Sequence, residues 1–133
     1  MVHRRRHRHG LRELRWDGIT DLKVVVPSYW VFVHKEAIAK LYPGGFPGWD
    51  VEHGGVLETS LMLALHPEHV HLPRAVDHAP ATFPPYDVYP VKPDRTPPSG
   101  TLSSPGEASV EKGHILLEVC AAGIVGALRA EFG

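Results

Sequence analysis

Apolar positions fall into short groups separated by Gly and Pro, and each group reads as one element. In Leu11-Arg12-Glu13-Leu14-Arg15 two leucines three apart flank charged residues, the pattern of the last turns of an amphipathic helix ending near Gly18. Leu22-Lys23-Val24-Val25-Val26 is short and β-branched, which predicts a buried parallel strand closed by Pro27. Lys35 to Leu41 predicts a short helix, stopped by Tyr42-Pro43-Gly44-Gly45. Pro43 to Trp49 reads as a loop. Leu57 to Leu65 joins strong helix formers to apolar spacing, and Pro67 ends it. Val70 to Val91 is irregular, with short extended pieces expected at Val70-His71-Leu72 and Tyr86 to Val91. Ser104-Pro105-Gly106-Glu107 fits a capping box with Pro at the first helical position. It opens a long helix through Ile115, Leu116, Val119, Ile124 and Leu128, with Ala108 as an alternative start. This order predicts an α/β fold whose sheet is incomplete, because only one or two good strands are visible.

Composition narrows the function classes. A net charge of −1 over 133 residues argues against general affinity for nucleic acid or an anionic membrane. No apolar run approaches the roughly 18 residues of a membrane helix. The single cysteine, Cys120, allows no internal disulfide, and a reducing cytoplasm is the expected compartment. Prolines cluster between Pro80 and Pro105, but Phe83, Tyr86 and Tyr89 interleave with them, so this is expected to be an ordered connection. Met1 to Gly10 alternates Arg and His without apolar periodicity and is expected to be a disordered arm. Its His3, His7 and His9 make no expected metal site, because Arg4, Arg5, Arg6 and Arg8 interleave with them.

The chemistry concentrates in Gly48-Trp49-Asp50-Val51-Glu52-His53-Gly54-Gly55-Val56-Leu57-Glu58-Thr59-Ser60-Leu61-Met62-Leu63. Here a histidine sits on a glycine-rich loop just ahead of a helix. Gly54 and Gly55 remove bulk beside His53, so substrate or backbone can approach the imidazole. The helix start favours developing negative charge. Glu58 falls in the first turn, where it suits the dipole and can orient a neighbouring imidazole. Trp49 and Asp50 offer a flat apolar surface and an acceptor, suited to a small planar polar molecule. Spacing alone more often marks a structural turn with carboxylate caps than a catalytic site.

The same segment resembles the signature of the creatininase family: a Trp-Asp pair, His-Gly-Gly and a Glu-Thr-Ser-x-Met-Leu run. Val24-Val25-Val26-Pro27-Ser28-Tyr29-Trp30, Ala79 to Val88 and Thr101 to Glu118 are similar as well, so the resemblance covers roughly Leu11 to Phe132. It implies a three-layer α/β/α fold with a mostly parallel sheet, here incomplete, and a homohexamer. It implies two divalent metals, zinc with manganese, that activate a water to open the lactam ring of creatinine. By this resemblance His53 is the catalytic histidine and Glu58 has a supporting or proton-handling role. Trp49 and Asp50 belong to the mobile substrate loop, and Trp30 is a second tryptophan over the site. Their retention favours creatinine over another cyclic or linear amide.

The family's metal ligands come from two earlier motifs, a Glu-x-His with a following Asp and an Asn-Gly-His-type segment, and neither is in this chain. Residues 1–10 occupy the place where the second should end. The abrupt change at Gly10 suggests a shifted frame, a wrongly chosen start or a truncated gene. Residues 11–133 then correspond to the C-terminal part of the domain, expected to be inactive alone and to associate through uncovered apolar surface. The competing readings are a non-catalytic remnant and a module that binds a planar ligand without reaction.

Overall fold

In the computed structural model the described residues are 11–86, 88–90 and 92–133. The Arg/His arm, Asp87 and Val91 lie outside them, and with them the readings placed on the arm. Residues 11–16 form helix α1, as the leucine spacing predicts. Three further helices follow: α2 (Lys35–Leu41), α3 (Val56–Leu65) and α4 (Val110–Phe132). Short 3-10 turns at Tyr29–Phe32, Pro67–His69, Leu72–Arg74 and Pro93–Arg95 bend the connections.

The expected α/β layering is not found. The described residues contain no strand, so they form neither a parallel sheet nor a three-layer α/β/α unit. Leu22–Val26 has the composition of a buried strand, but a strand exists only through ladder bonds to a neighbour. No described segment lies alongside to supply them. Leu22, Val24 and Val26 are exposed, at 59%, 40% and 43%. The run is tethered instead by Lys23, whose Nζ donates to the Glu131 carbonyl, pairs with the Glu131 carboxylate at 3.2 Å and lies 5.4 Å from the Phe132 ring centre. Among the described residues, the extended pieces expected at Val70–Leu72 and Tyr86 to Val91 are not strands either.

α4 starts five residues later than its capping-box letters suggest. Ser104 is occupied elsewhere: its Oγ donates to Asp77 and accepts from Gly106 N at 3.3 Å. Pro105 to Ala108 closes a turn, with Ala108 N donating to the Pro105 carbonyl at 2.8 Å. The working cap is Ser109, whose Oγ accepts from Lys112 N at 3.2 Å. Its own N–H donates to the buried Ser60 Oγ of α3 at 3.1 Å, which pins the start of α4 to the middle of α3. A Cβ at Gly113 would lie 2.7 Å from Ala64 Cβ and collide with the Ser60 carbonyl, so glycine lets the two helices meet backbone to backbone.

The core lies where α2, α3 and α4 meet. It contains Ala37, Leu41, Tyr42, Val56, Leu57, Leu116 and Cys120, with Tyr29, Phe46 and Ile115 packed on it. Leu41, Leu57 and Leu116 are fully buried. At roughly 1.5–3 kcal/mol each, their burial outweighs a helix cap of about 1 kcal/mol. Packing therefore dominates, and caps set where the helices start.

Candidate active site

α3 begins with a residue that cannot cap it. Gly55 stands at the N-cap and has no side chain, yet the first turn leaves N–H groups without intrahelical partners. Two carboxylates take their place. Glu52 Oε1 accepts from Leu57 N at 2.7 Å, and Glu58 Oε2 reaches back to accept from Gly54 N at 2.6 Å. Negative charge at this end also suits the helix dipole. Between them the chain turns through Gly54 at φ +63°, a left-handed conformation that glycine adopts freely. The turn is held on its far side by Leu102 N, which donates to the His53 carbonyl at 2.8 Å.

This turn presents His53 outward, with 70% of its side chain accessible. Its Nδ1 stands 3.7 Å from Glu58 Oε2, the oxygen that also holds Gly54 N. One carboxylate thus fixes the loop backbone and faces the imidazole. The predicted pair is brought together, with His53 open to a reacting molecule.

Trp49 packs edge-on against Phe46, with ring centres 4.9 Å apart at 71°, and Phe46 lies 5.0 Å from Tyr42. Three rings therefore lead from the core to the loop, and Trp49 remains 43% exposed at their end. Asp50 beside it is exposed. Trp30 is half-buried and stands edge-on to Tyr29 at 5.0 Å. The two tryptophans each stack on another ring and not on one another. Burial, with Glu58 close by, pushes the Tyr29 hydroxyl up to about 12, so Tyr29 stays protonated beside the site.

A cleft of about 410 Å³ adjoins this turn, lined by Gly54, Glu58, Met62, His69, His71 and Arg74 among others. A larger cleft of about 740 Å³, bordered by Tyr42, Val56, Asp77, His78 and Ser103, contains none of the predicted site residues. Of the predicted site residues the smaller one is lined by Glu58 alone; His53, Trp30, Trp49 and Asp50 do not line it. His78 holds the loop between them. Its Nδ1 donates to the Ala79 carbonyl at 2.9 Å, which leaves Nε2 to accept from the Thr101 hydroxyl at 2.8 Å.

Sequence reasoning left Glu52 without a fixed role and missed Tyr42 and Arg74. Glu52 is half-buried, and burial raises its carboxyl above the ordinary value despite the hydrogen bonds from Tyr42 and Leu57. Tyr42, which donates to Glu52 Oε2, is raised further by its own burial and by that carboxylate. Arg74 brings a permanent cation to the smaller cleft. A glycine at the N-cap of α3 was the available signal for Glu52, since the orphan N–H groups need some acceptor.

Among the described residues no group of three or more His, Cys, Asp or Glu could hold a metal ion. The donors present do not fit the dimetal centre that the resemblance implies.

The chain matches the family described as "Creatininase: Creatinine amidohydrolase" over residues 4–128. It belongs to the creatininase family. It is 67% identical over 124 residues to a creatinine amidohydrolase of Pseudomonas putida, covering 92% of this chain and 48% of that protein. Among solved structures it superimposes with a TM-score of 0.84 at 66% identity on creatininase Mn, covering 92% of this chain and 48% of that one. The same figures hold for a mutant creatininase, both as a Zn-Zn type and complexed with creatine. The creatininase-family chain thus spans about half the length of the curated relatives it matches. None of its helices among the described residues is long and apolar enough to cross a membrane.

Proposed function

We propose that this chain carries the substrate loop and the acid–base histidine of an amidohydrolase that opens the lactam ring of creatinine to creatine. The observation that carries the reading is the His53–Glu58 pair on the Gly54 turn, beside a cleft sized for a small molecule, in a creatininase-family chain. Ring opening adds water across the lactam C–N bond, so the departing nitrogen must gain a proton. His53, the exposed imidazole on the turn, gives it as general acid. Glu58 orients that imidazole and holds Gly54, acting through His53. Trp49 and Trp30 provide flat surfaces for a planar ring, and Asp50 provides an acceptor for its N–H groups.

Zinc and manganese are the metals this activity calls for, by analogy with the relatives. The described residues hold no site for them, so no step here is routed through a metal, and the chain by itself is proposed to be inactive. Assembly into a homo-oligomer, a hexamer as in the family, is supported by the apolar surface at Leu22, Val24, Val26, Val125, Leu128 and Phe132. A cytoplasmic setting is in keeping with the lone buried thiol of Cys120.

The test is a titration of tryptophan fluorescence with creatinine. Saturable change that Trp49→Ala weakens about tenfold, the equivalent of about 1.4 kcal/mol, supports the site. Absence of any creatinine-dependent change refutes it. A second reading, a module that binds without reacting, is favoured by the missing metal-ligand group. Creatine formed by the chain with zinc and manganese present would reject that second reading.

A further inference from the structure

We propose that Glu52 is a positioning residue of this site, setting the angle between the His53 turn and the tryptophan loop. The inference rests on the functional reading above and adds a residue to it. Glu52 lies between Trp49-Asp50 and His53 in sequence, and its side chain joins three parts of the structure. Oε1 accepts from Leu57 N at 2.7 Å and anchors the first turn of α3. Oε2 accepts from the Tyr42 hydroxyl, and Tyr42 is a buried residue just after α2. From Tyr42 the stack continues through Phe46 to Trp49 at 5.0 and 4.9 Å. One carboxylate therefore links the first turn of α3, which follows the histidine turn, to the ring stack that ends in Trp49.

The surroundings leave it no freedom. A Cβ at Gly55 would stand 2.7 Å from Glu52 Oε2 and collide with Ser103 Oγ, so the carboxylate is packed directly against the N-cap backbone. Ser103 Oγ is buried and has no hydrogen-bond partner among the described residues, so it does not compete for Glu52. Glu58 holds the turn from its other end through Gly54 N. With both in place, His53 projects from a turn fixed at two points. With Glu52 removed, the Trp49 side is free to rotate away while the Glu58 side stays.

The experiment labels the chain with 5-fluorotryptophan and with ¹³C,¹⁵N-histidine and compares wild type with Glu52→Gln, Glu52→Ala and Tyr42→Phe by NMR. Glutamine keeps an acceptor for Leu57 N and a polar group at the Tyr42 hydroxyl. Glu52→Gln is therefore expected to keep the Trp49 and His53 resonances near their wild-type positions. Glu52→Ala is expected to move both while Trp16, at 76% exposure and distant in sequence, stays fixed. A merely stabilising role would lower the unfolding midpoint and leave these native-state signals in place. Unmoved Trp49 and His53 signals in folded Glu52→Ala overturn the proposal. Should that variant not fold, Tyr42→Phe decides: it deletes only the hydroxyl, keeps the ring stack, and is expected to move Trp49. A stationary Trp49 signal overturns the proposal there too. None of these signals depends on turnover, so a failure of the proposed hydrolysis is read separately.

Discussion

Replacing Gly54 by alanine tests the geometry of the histidine turn at its tightest point. Two separate costs arise. Gly54 has φ +63°, where an L-residue loses roughly 1–2 kcal/mol. The added Cβ would also sit 2.7 Å from Thr101 Cγ2 and 3.2 Å from Thr101 Cβ, an overpacking of about 1–3 kcal/mol. Alanine restricts the unfolded chain and returns roughly 0.4–1 kcal/mol. The net expectation is about 1–4.6 kcal/mol of lost stability. Urea unfolding followed by far-ultraviolet circular dichroism measures it. With a slope of about 2 kcal/mol per molar, the midpoint falls by about 0.5–2.3 M. Thr101→Ser removes Cγ2 and keeps the hydroxyl that serves His78, so the double variant separates the two costs. It should recover about 1 kcal/mol or more and leave the backbone cost in place. A Gly54→Ala loss under about 0.5 kcal/mol, or one that Thr101→Ser does not relieve, refutes this description of the turn.

Other consequences follow from the caps and the buried carboxylate. Ser109→Ala removes the acceptor for Lys112 N and is expected to cost about 1 kcal/mol, whereas Ser104→Ala leaves the cap of α4 intact; thermal unfolding and amide exchange at Lys112 distinguish the two. Glu52 has a carboxyl raised, chiefly by burial, above its ordinary value of 4.5. The folded state therefore holds that proton more tightly than the unfolded chain. Its contribution is fully present below about 4.5 and is lost as pH rises through the folded value. Stability measured across that window should fall with pH by a component that Glu52→Gln abolishes, and an unchanged slope in that variant contradicts the assignment.

The sequence carried the helices better than the sheet, for a physical reason. α2 and α3 are bounded by local signals, Pro43-Gly44 after one and Pro67 after the other, and their apolar spacing needs no distant partner. The Leu22–Val26 run has the right residues for a strand, but strand formation is decided by what lies beside it, and local composition does not contain that. The start of α4 shows a subtler failure. Ser104 to Glu107 spells a capping box, yet Ser104 binds Asp77, twenty-seven residues away in sequence, and Ser109 is drawn to Ser60 on α3. Tertiary contacts chose between two serines that a local reading cannot rank.

The site divides in the same way. His53, Gly54 and Glu58 were legible because turn and helix start are local, and the structure brings His53 and Glu58 within 3.7 Å. Trp49 and Asp50 were readable as a flat surface and an acceptor beside the turn, whereas the role of Trp30 came from resemblance alone. Glu52 was left without a role because its partner Tyr42 lies ten residues earlier, across a loop whose path the sequence does not give. Arg74 reaches the cleft through an irregular segment, where periodicity carries no information.

The most direct test of the functional claim is a chimera. The matching portion of the Pseudomonas putida creatinine amidohydrolase is replaced by residues 11–128 of this chain, and conversion of creatinine to creatine is followed with zinc and manganese present. The account predicts turnover that His53→Ala lowers by about 10²- to 10⁴-fold, with metal content unchanged. A folded, metal-loaded chimera without turnover, or one whose rate ignores His53→Ala, would contradict it.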